Sequence, residues 1–360
     1  MNKRLNMKRK IVFYKILQGL SLLLLFLMLM IAERHLDPYL RRIINLIAIN
    51  IIWAVSYNLL YGYTNQFSLG HAGFIAIGAY TTALLTMSPL QKEQNFFLVP
   101  CIKPLNDIQF PFFPSLVIAA ILGALGGILI GVPSLQFRGD YMAIVTLGFS
   151  EIIRVISMNL QSITNGSLGL KGIPEYTNLL WSWSCVILTI FIVRRLINSK
   201  YGRAFKAIRE DEMAAEAMGI NVFRYKLLAF VVASMFASLG GGLLANLLST
   251  VDPNLFSFFL SYQIVAIVVL GGVGSITGSI LASIIYVSFF EILRPLDAPI
   301  KIGALMLPGR PGMRMVIFSA LFIAIILFYR KGLMGSEEFS WQWLNLKLRH
   351  IFKKIQKGGL

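Results

Sequence analysis

The sequence predicts an all-α, polytopic transmembrane helical bundle of about nine or ten membrane segments, one or two of them broken or re-entrant. Three observations predict it. Of 360 residues, 57% are hydrophobic and only 14% charged, whereas a soluble domain carries about 25% charged residues and about 45–50% apolar ones. Uncharged runs of about 20 residues, long enough to cross a ~30 Å hydrocarbon core, recur along the chain. The basic residues gather in short blocks beside those runs. A disordered chain, a disulfide-stapled module and an ordinary soluble enzyme are thereby excluded.

The chain begins MNKRLNMKRK, and an apolar run follows over residues 11–32. That run is longer than the h-region of a signal peptide and has no small-x-small cleavage site before Glu33, so it reads as an uncleaved first helix. Further spans read as residues 43–61, 68–87, 114–132, 141–160, 179–197, 225–248, 262–293 and 315–329. The run 262–293 is too long: as one straight helix it would measure about 48 Å. It contains Gly271, Gly272, Gly274 and Ser275, which can break it.

Charge supports the break. The formal net charge is +17, from 33 basic and 16 acidic side chains. On a soluble protein this would suggest nucleic acid; here it follows the positive-inside pattern. With the N-terminus cytoplasmic, the sixth span ends inside at a loop holding Arg194, Arg195, Lys200, Arg203, Lys206 and Arg209. The tail holds Arg330, Lys331, Lys347, Arg349, Lys353, Lys354 and Lys357. It lies on the same side only if the chain turns back at residues 271–275. Both termini are therefore expected in the cytoplasm. The organisation expected is a basic N-terminus and first helix (1–42), a transmembrane domain (43–331) with a cytoplasmic loop (198–224), and a basic tail (332–360). The apolar residues of that tail, among them Trp341 and Trp343, fit an amphipathic surface helix or a solvated tail equally well. Cys101 and Cys185 form no disulfide framework, and His35, His71 and His350 are too scattered for a metal site.

The loop after the sixth span is the most informative stretch. It reads YGRAFKAIREDEMAAEAMGINVFRYK over residues 201–226. Asp211 suits an N-cap, and Glu212 suits the positive end of the helix dipole. Met213, Ala214, Ala215, Ala217 and Met218 are helix formers with small or flexible surfaces, Gly219 fits a left-handed C′ position and Asn221 can cap the next helix. A short helix with small side chains results, suited to a groove in a partner protein.

The stretch AAEAMGIN resembles the EAA-type loop of ABC-importer permeases. With its context, and with YNLLYGYTNQFSLGHAGFIAIGAY (57–80), RGDYMAIVTLGFSEIIR (138–154) and TNGSLGLKGIP (164–174), the chain resembles the branched-chain amino-acid permease family of the LivM type. The resemblance spans about residues 43–295. It implies an ABC-importer permease fold in the bacterial cytoplasmic (inner) membrane. It also implies a second homologous permease subunit, two cytoplasmic ATPase subunits and a periplasmic or surface substrate-binding protein as partners. ATP and Mg would bind the ATPases, and this chain would bind no cofactor. The chain has no GxxxxGK[ST]; GGVGSITGS at 271–279 lacks the lysine. On this reading Asp211, Glu212, Ala214, Ala215, Glu216, Ala217 and Gly219 form the coupling loop, and leucine, isoleucine and valine are the cargo.

Candidates for the translocation path lie in two glycine-rich segments. One holds Asn65, Gln66, Ser68, Gly70, His71 and Gly73; the other holds Gly271, Gly272, Gly274 and Ser275. Interrupted helices place free backbone groups beside a cavity in transporters. The competing reading is close packing of small residues, and it is preferred for Gly123, Gly126 and Gly127. Glu151 and Arg154 sit i,i+3 and fit a local ion pair. Asn50, Asn58 and Asn159 read as interhelical hydrogen-bonders. Two rivals remain. A urea or short-amide permease keeps the machine and changes the cargo. A stand-alone channel or ion-coupled carrier would need no ATPase and would put Glu151, or Glu291, at its centre.

Overall fold

The computed structural model describes residues 28–137 and 139–297, and beyond them 300–302, 305–307, 312–328, 332–335 and 338. The expected first helix is seen only from residue 28, where a helical stretch runs to residue 35. The aromatic tail after residue 338 lies outside the described residues.

Among the described residues, and with shorter helical turns in the other connections, eleven helices make up the bundle and its charged loop. They are α1 (Pro38–Thr64), α2 (His71–Thr86), α3 (Phe112–Ser134), α4 (Asp140–Asn159), α5 (Leu179–Ile197), α6 (Lys200–Glu210), α7 (Glu212–Ala217), α8 (Val222–Leu248), α9 (Phe258–Gly271), α10 (Ile276–Ile292) and α11 (Met313–Phe328). Five of them, α1, α3, α4, α5 and α8, are long and apolar enough to cross a membrane on their own. The pair α9 and α10 passes the same test jointly but is bent by 119°. The break expected at residues 271–275 is therefore present, and the chain turns back there. Every span expected from residue 43 onward has its helix. Two of these, α2 and α11, have 16 residues each. At 1.5 Å per residue that is about 24 Å, short of a full hydrocarbon core.

α1 is the axis of the bundle. Pro38 opens it, where a missing N–H costs nothing, and from Ile47 to Leu60 its side chains are buried. α8 packs along α3, α2 and α1, and α1 also touches α5, α9 and α10. Lipid offers no hydrophobic drive for helix association, so contact depends on close approach and interhelical hydrogen bonds. Small residues allow that approach. A Cβ at Gly78 would fall 1.8 Å from the Ser238 carbonyl oxygen, and one at Gly123 2.2 Å from Ser238 Cβ. Gly127 meets Ser234 in the same way. Trp53 Nε1 donates to the Ala237 carbonyl at 3.2 Å, and Ser238 Oγ to the Ala119 carbonyl at 2.6 Å.

The polar loops sort to the two ends of the bundle. At one end Asn95 Nδ2 donates to the Lys171 carbonyl, and β1 (Leu170–Lys171) pairs antiparallel with β2 (Thr250–Val251). A second ribbon pairs β3 (Ile300–Ile302) with β4 (Leu305–Leu307). At the other end lie the end of α1, the loop holding α6 and α7, the α9–α10 break, residues 332–335 and Glu338.

Two of the three asparagine expectations are corrected. Asn50 Nδ2 donates to the Leu46 carbonyl, and Asn159 Nδ2 to the Val155 carbonyl, each four residues back on its own helix. A short amide on a helix reaches the preceding turn without help from a neighbour. Asn58 alone bonds across helices. Glu151 and Arg154 form the local pair, with Nε to Oε2 at 2.7 Å.

Candidate functional site

The loop between α5 and α8 folds as its residues imply. Ser199 ends one connection by accepting from Tyr201 N, and α6 follows with Phe205 and Ile208 buried. Asp211 then caps α7: its side chain accepts from Met213 N at 2.9 Å and Ala214 N at 3.0 Å. At the other end Gly219 has φ +83°. Ile220 N donates to the Ala215 carbonyl at 3.1 Å and Gly219 N to the Glu216 carbonyl at 2.9 Å. That pair of bonds is a Schellman motif, which a left-handed glycine closes. Asn221 accepts from Arg224 N at 3.0 Å and starts α8.

Packing fixes which side of α7 is free. Ala215 turns inward against Ile208 and Val222. Glu212 accepts from Lys226 Nζ at 2.6 Å, which ties α7 to the first turn of α8. Ala214, Glu216, Ala217 and Gly219 are exposed. Met213 and Met218 protrude at 72% and 83% exposure. The free face therefore has a small-residue floor between two flexible thioethers.

A polar junction lies at the same end. Asn58 accepts from Gly274 N through Oδ1 and donates to the Ser275 carbonyl through Nδ2, both at 2.8 Å. Its Nδ2 also lies 2.8 Å from Ser279 Oγ. Gly62 admits the break: a Cβ there would sit 2.5 Å from Gly274 N. Arg209 Nη1, from α6, donates to the Gly62 carbonyl at 3.2 Å. Ser275 caps α10 by accepting from Gly278 N at 3.0 Å. Glu338 accepts from Ile276 N at 2.7 Å, Thr277 Oγ1 at 2.7 Å and Tyr63 Oη at 3.2 Å. A carboxylate is thus placed at the positive end of α10. Leu333 N and Met334 N donate to the carbonyls of Leu270 and Gly271.

The two path segments are held differently. Asn65, left-handed at φ 52°, ends α1. Gln66 is buried and donates to Thr64 Oγ1 at 2.7 Å and to the Lys226 carbonyl at 3.2 Å. Ser68 accepts from Gly70 N at 3.3 Å. Gly70 and Gly73 lie against α4, where added Cβ atoms would sit 2.8 Å from the Thr146 carbonyl oxygen and 3.0 Å from Ser150 Cα. His71 Nε2 is 3.0 Å from Ser56 Oγ, with its ring edge-on to Tyr57. Gly271 faces Gly278 across the α9–α10 turn. Of these candidates, Gly274 borders a cavity of about 500 Å³. Among the described residues no cluster of histidine, cysteine and carboxylates is able to hold a metal ion.

Sequence reasoning missed Gly62, Arg209 and Glu338. Arg209 was visible only as one positive charge among many, and nothing local marks the other two.

The family model described as "Branched-chain amino acid transport system / permease component" matches residues 39–326. The chain belongs to this family. It is a membrane subunit of the ABC-permease type and not an enzyme. The match takes in every helix from α1 through most of α11. Among similar proteins, the high-affinity branched-chain amino acid transport system permease protein LivM of Escherichia coli is 34% identical over 300 residues, 73% of this chain and 66% of that protein. The LivM of Salmonella typhimurium is 34% identical over 294 residues, 72% of this chain and 65% of that protein. The aligned part thus spans just under two thirds of these relatives' length. A LivH permease of Salmonella typhimurium is 24% identical over 253 residues, covering 64% and 77%. No solved structure matches.

Proposed function

We propose that this chain is one of two transmembrane subunits of a bacterial ATP-driven importer for leucine, isoleucine and valine. The α7 helix supports this reading most strongly. It is capped at both ends, tied to α8 by Glu212 and Lys226, and exposes small side chains flanked by two methionines. Such a projection fits a groove on a cytoplasmic ATPase, with Asp211, Glu212, Ala214, Ala215, Glu216, Ala217 and Gly219 as the docking segment. The cargo is carried over from what the relatives' names describe. The end bearing α6 and α7 faces the cytoplasm, as its cations require, and the termini lie there too. A substrate-binding protein delivers cargo at the opposite end.

The link from α7 to the bundle is short. Arg209 precedes the Asp211 cap by two residues and holds the end of α1, which itself holds the α9–α10 break through Asn58. Movement of the docked ATPase would reach Gly271, Gly272, Gly274 and Ser275 along this route and switch the bundle between inward-open and outward-open packings. The first glycine-rich segment, Asn65 to Gly73, would respond through Gln66 and the Lys226 carbonyl.

The test is uptake of labelled leucine by the complete importer in proteoliposomes, with urea as a parallel cargo. ATP-dependent leucine uptake, lost together with ATPase co-purification in Ala217→Arg, supports the proposal. Urea uptake alone would reassign the cargo. Uptake without any ATPase would overturn the coupling reading.

A further inference from the structure

The 500 Å³ cavity that reaches Gly274 lies between α5, α6 and α10 against Tyr63 of α1. Its lining divides by chemistry. Ile190, Ile197 and Ile280 give it apolar walls, while Arg194, Lys206 and Arg209 stand around it. Ile190 precedes Ile197 by seven residues on α5, about 10 Å along the axis. The cavity therefore runs from hydrocarbon depth to the polar end of the bundle.

The cations are not neutralised from within. Arg209 is shared between Glu210 and the Gly62 carbonyl. Arg194 and Lys206 have no hydrogen-bonding or ionic partner for their side chains among the described residues, and both are exposed. The carboxylate in the lining, Glu338, is occupied with the start of α10 and Tyr63. An anion at the mouth would find two free cations, and a chain attached to it would find isoleucines below. A free phosphate has no use for the walls, and a neutral lipid has little use for the cations. Basic pockets between transmembrane helices recognise anionic lipid headgroups on this principle, and long cationic side chains reach the interface readily.

We propose that this cavity is a binding site for an anionic phospholipid, its phosphodiester at Arg194 and Lys206 and an acyl chain along Ile190, Ile197 and Ile280. The site rests on the membrane-spanning fold alone and is independent of cargo and of ATPase docking. Its position gives it leverage, because Lys206 belongs to the helix that leads into α7.

Native mass spectrometry of the full chain in mild detergent tests it, with phosphatidylglycerol, phosphatidylcholine and glycerol 3-phosphate as probes. Phosphatidylglycerol is expected to bind at least tenfold more tightly than phosphatidylcholine. The double variant Arg194→Gln/Lys206→Gln should weaken it about 30-fold, the loss expected of two cations at a membrane surface, with the thermal midpoint unchanged. The double variant Arg195→Gln/Arg203→Gln, on exposed cations of the same region outside the cavity, should bind normally. Equal affinity for the two lipids, or full binding by the Arg194/Lys206 variant, would overturn the site. Glycerol 3-phosphate binding as tightly as the lipid would make it a soluble-phosphate site and refute the lipid.

Discussion

Asn58 ties the central helix of the bundle to the α9–α10 break. It closes three hydrogen bonds onto that break, where Gly274 N has no helix of its own to bond to; the Ser275 carbonyl also accepts from Ser279 N at 3.1 Å. Replacing it with alanine removes the partner of Gly274 N in a buried site, at about 1–3 kcal/mol. Asn58→Ala should therefore lower the thermal midpoint in detergent, and residues 271–275 should become the first site of proteolytic cleavage. An unchanged cleavage pattern would mean the break is held by the glycine packing alone. Lys92 is the counterpart at the opposite end. Its side chain is fully buried and donates to the carbonyls of Leu105 and Ile108 at 2.7 and 2.6 Å. Burial lowers its pKa, with Cys101 and Asp107 pulling the other way. Lys92→Met keeps the volume and removes both bonds, so faster hydrogen exchange is expected at residues 103–108 than in the parent chain.

Among the elements, α7 and the α9–α10 pair were the most legible in sequence. Asp211, Gly219 and Asn221 are residues whose side chain or backbone freedom dictates a local geometry, and each occupies the position it implies. The limits of α5, residues 179–197, coincide with the apolar run because arginines close one end and Asn178 caps the other. What depends on distant partners was not legible. Whether an asparagine bonds along its helix or across it is decided by which helix lies opposite, and Asn50 and Asn58 are both buried on the same helix. Lys92 reads as a loop cation until the loop is seen to fold over it. Removing the α7 cap isolates the value of the local geometry. Asp211→Ala should cost about 1 kcal/mol of helix stability, and ATPase co-purification should drop severalfold while leucine-independent properties of the bundle stay intact. Gly219→Val, which forces a branched side chain to φ +83°, should be the more severe of the two. Equal ATPase recovery from both variants and parent would remove α7 from the docking site.

For the whole molecule, the prediction concerns sidedness. Residues 213 and 333 belong to the end that carries α7, and Cys101 belongs to the other. Single cysteines at Met213 and Leu333 should resist a membrane-impermeant maleimide in intact cells, whereas the native Cys101 should react. Burial raises the Cys101 thiol pKa above its ordinary value. The thiolate is the reacting form, so its labelling should accelerate as pH rises and lag a free thiol at neutral pH. Labelling of 213 and Cys101 from the same side would contradict the orientation. The bend at residues 271–275 was readable beforehand, because a turn there is the arrangement that would leave the tail with the other cations. The packing of α8 into α1, α2 and α3 was not, since small residues mark a close approach without naming the helix approached.

The bonds of Asn58 also bear on how the chain is made. Its partner at Ser275 lies 217 residues later. At about 5–20 residues per second of synthesis, roughly 10 to 40 seconds pass before that partner exists. Throughout that interval α1 carries, near its C-terminal end, a carboxamide whose cross-helix partners do not yet exist. The carbonyl of its own preceding turn is the partner within reach, and the arrival of the second half of the protein exchanges that local bond for the bonds across the bundle.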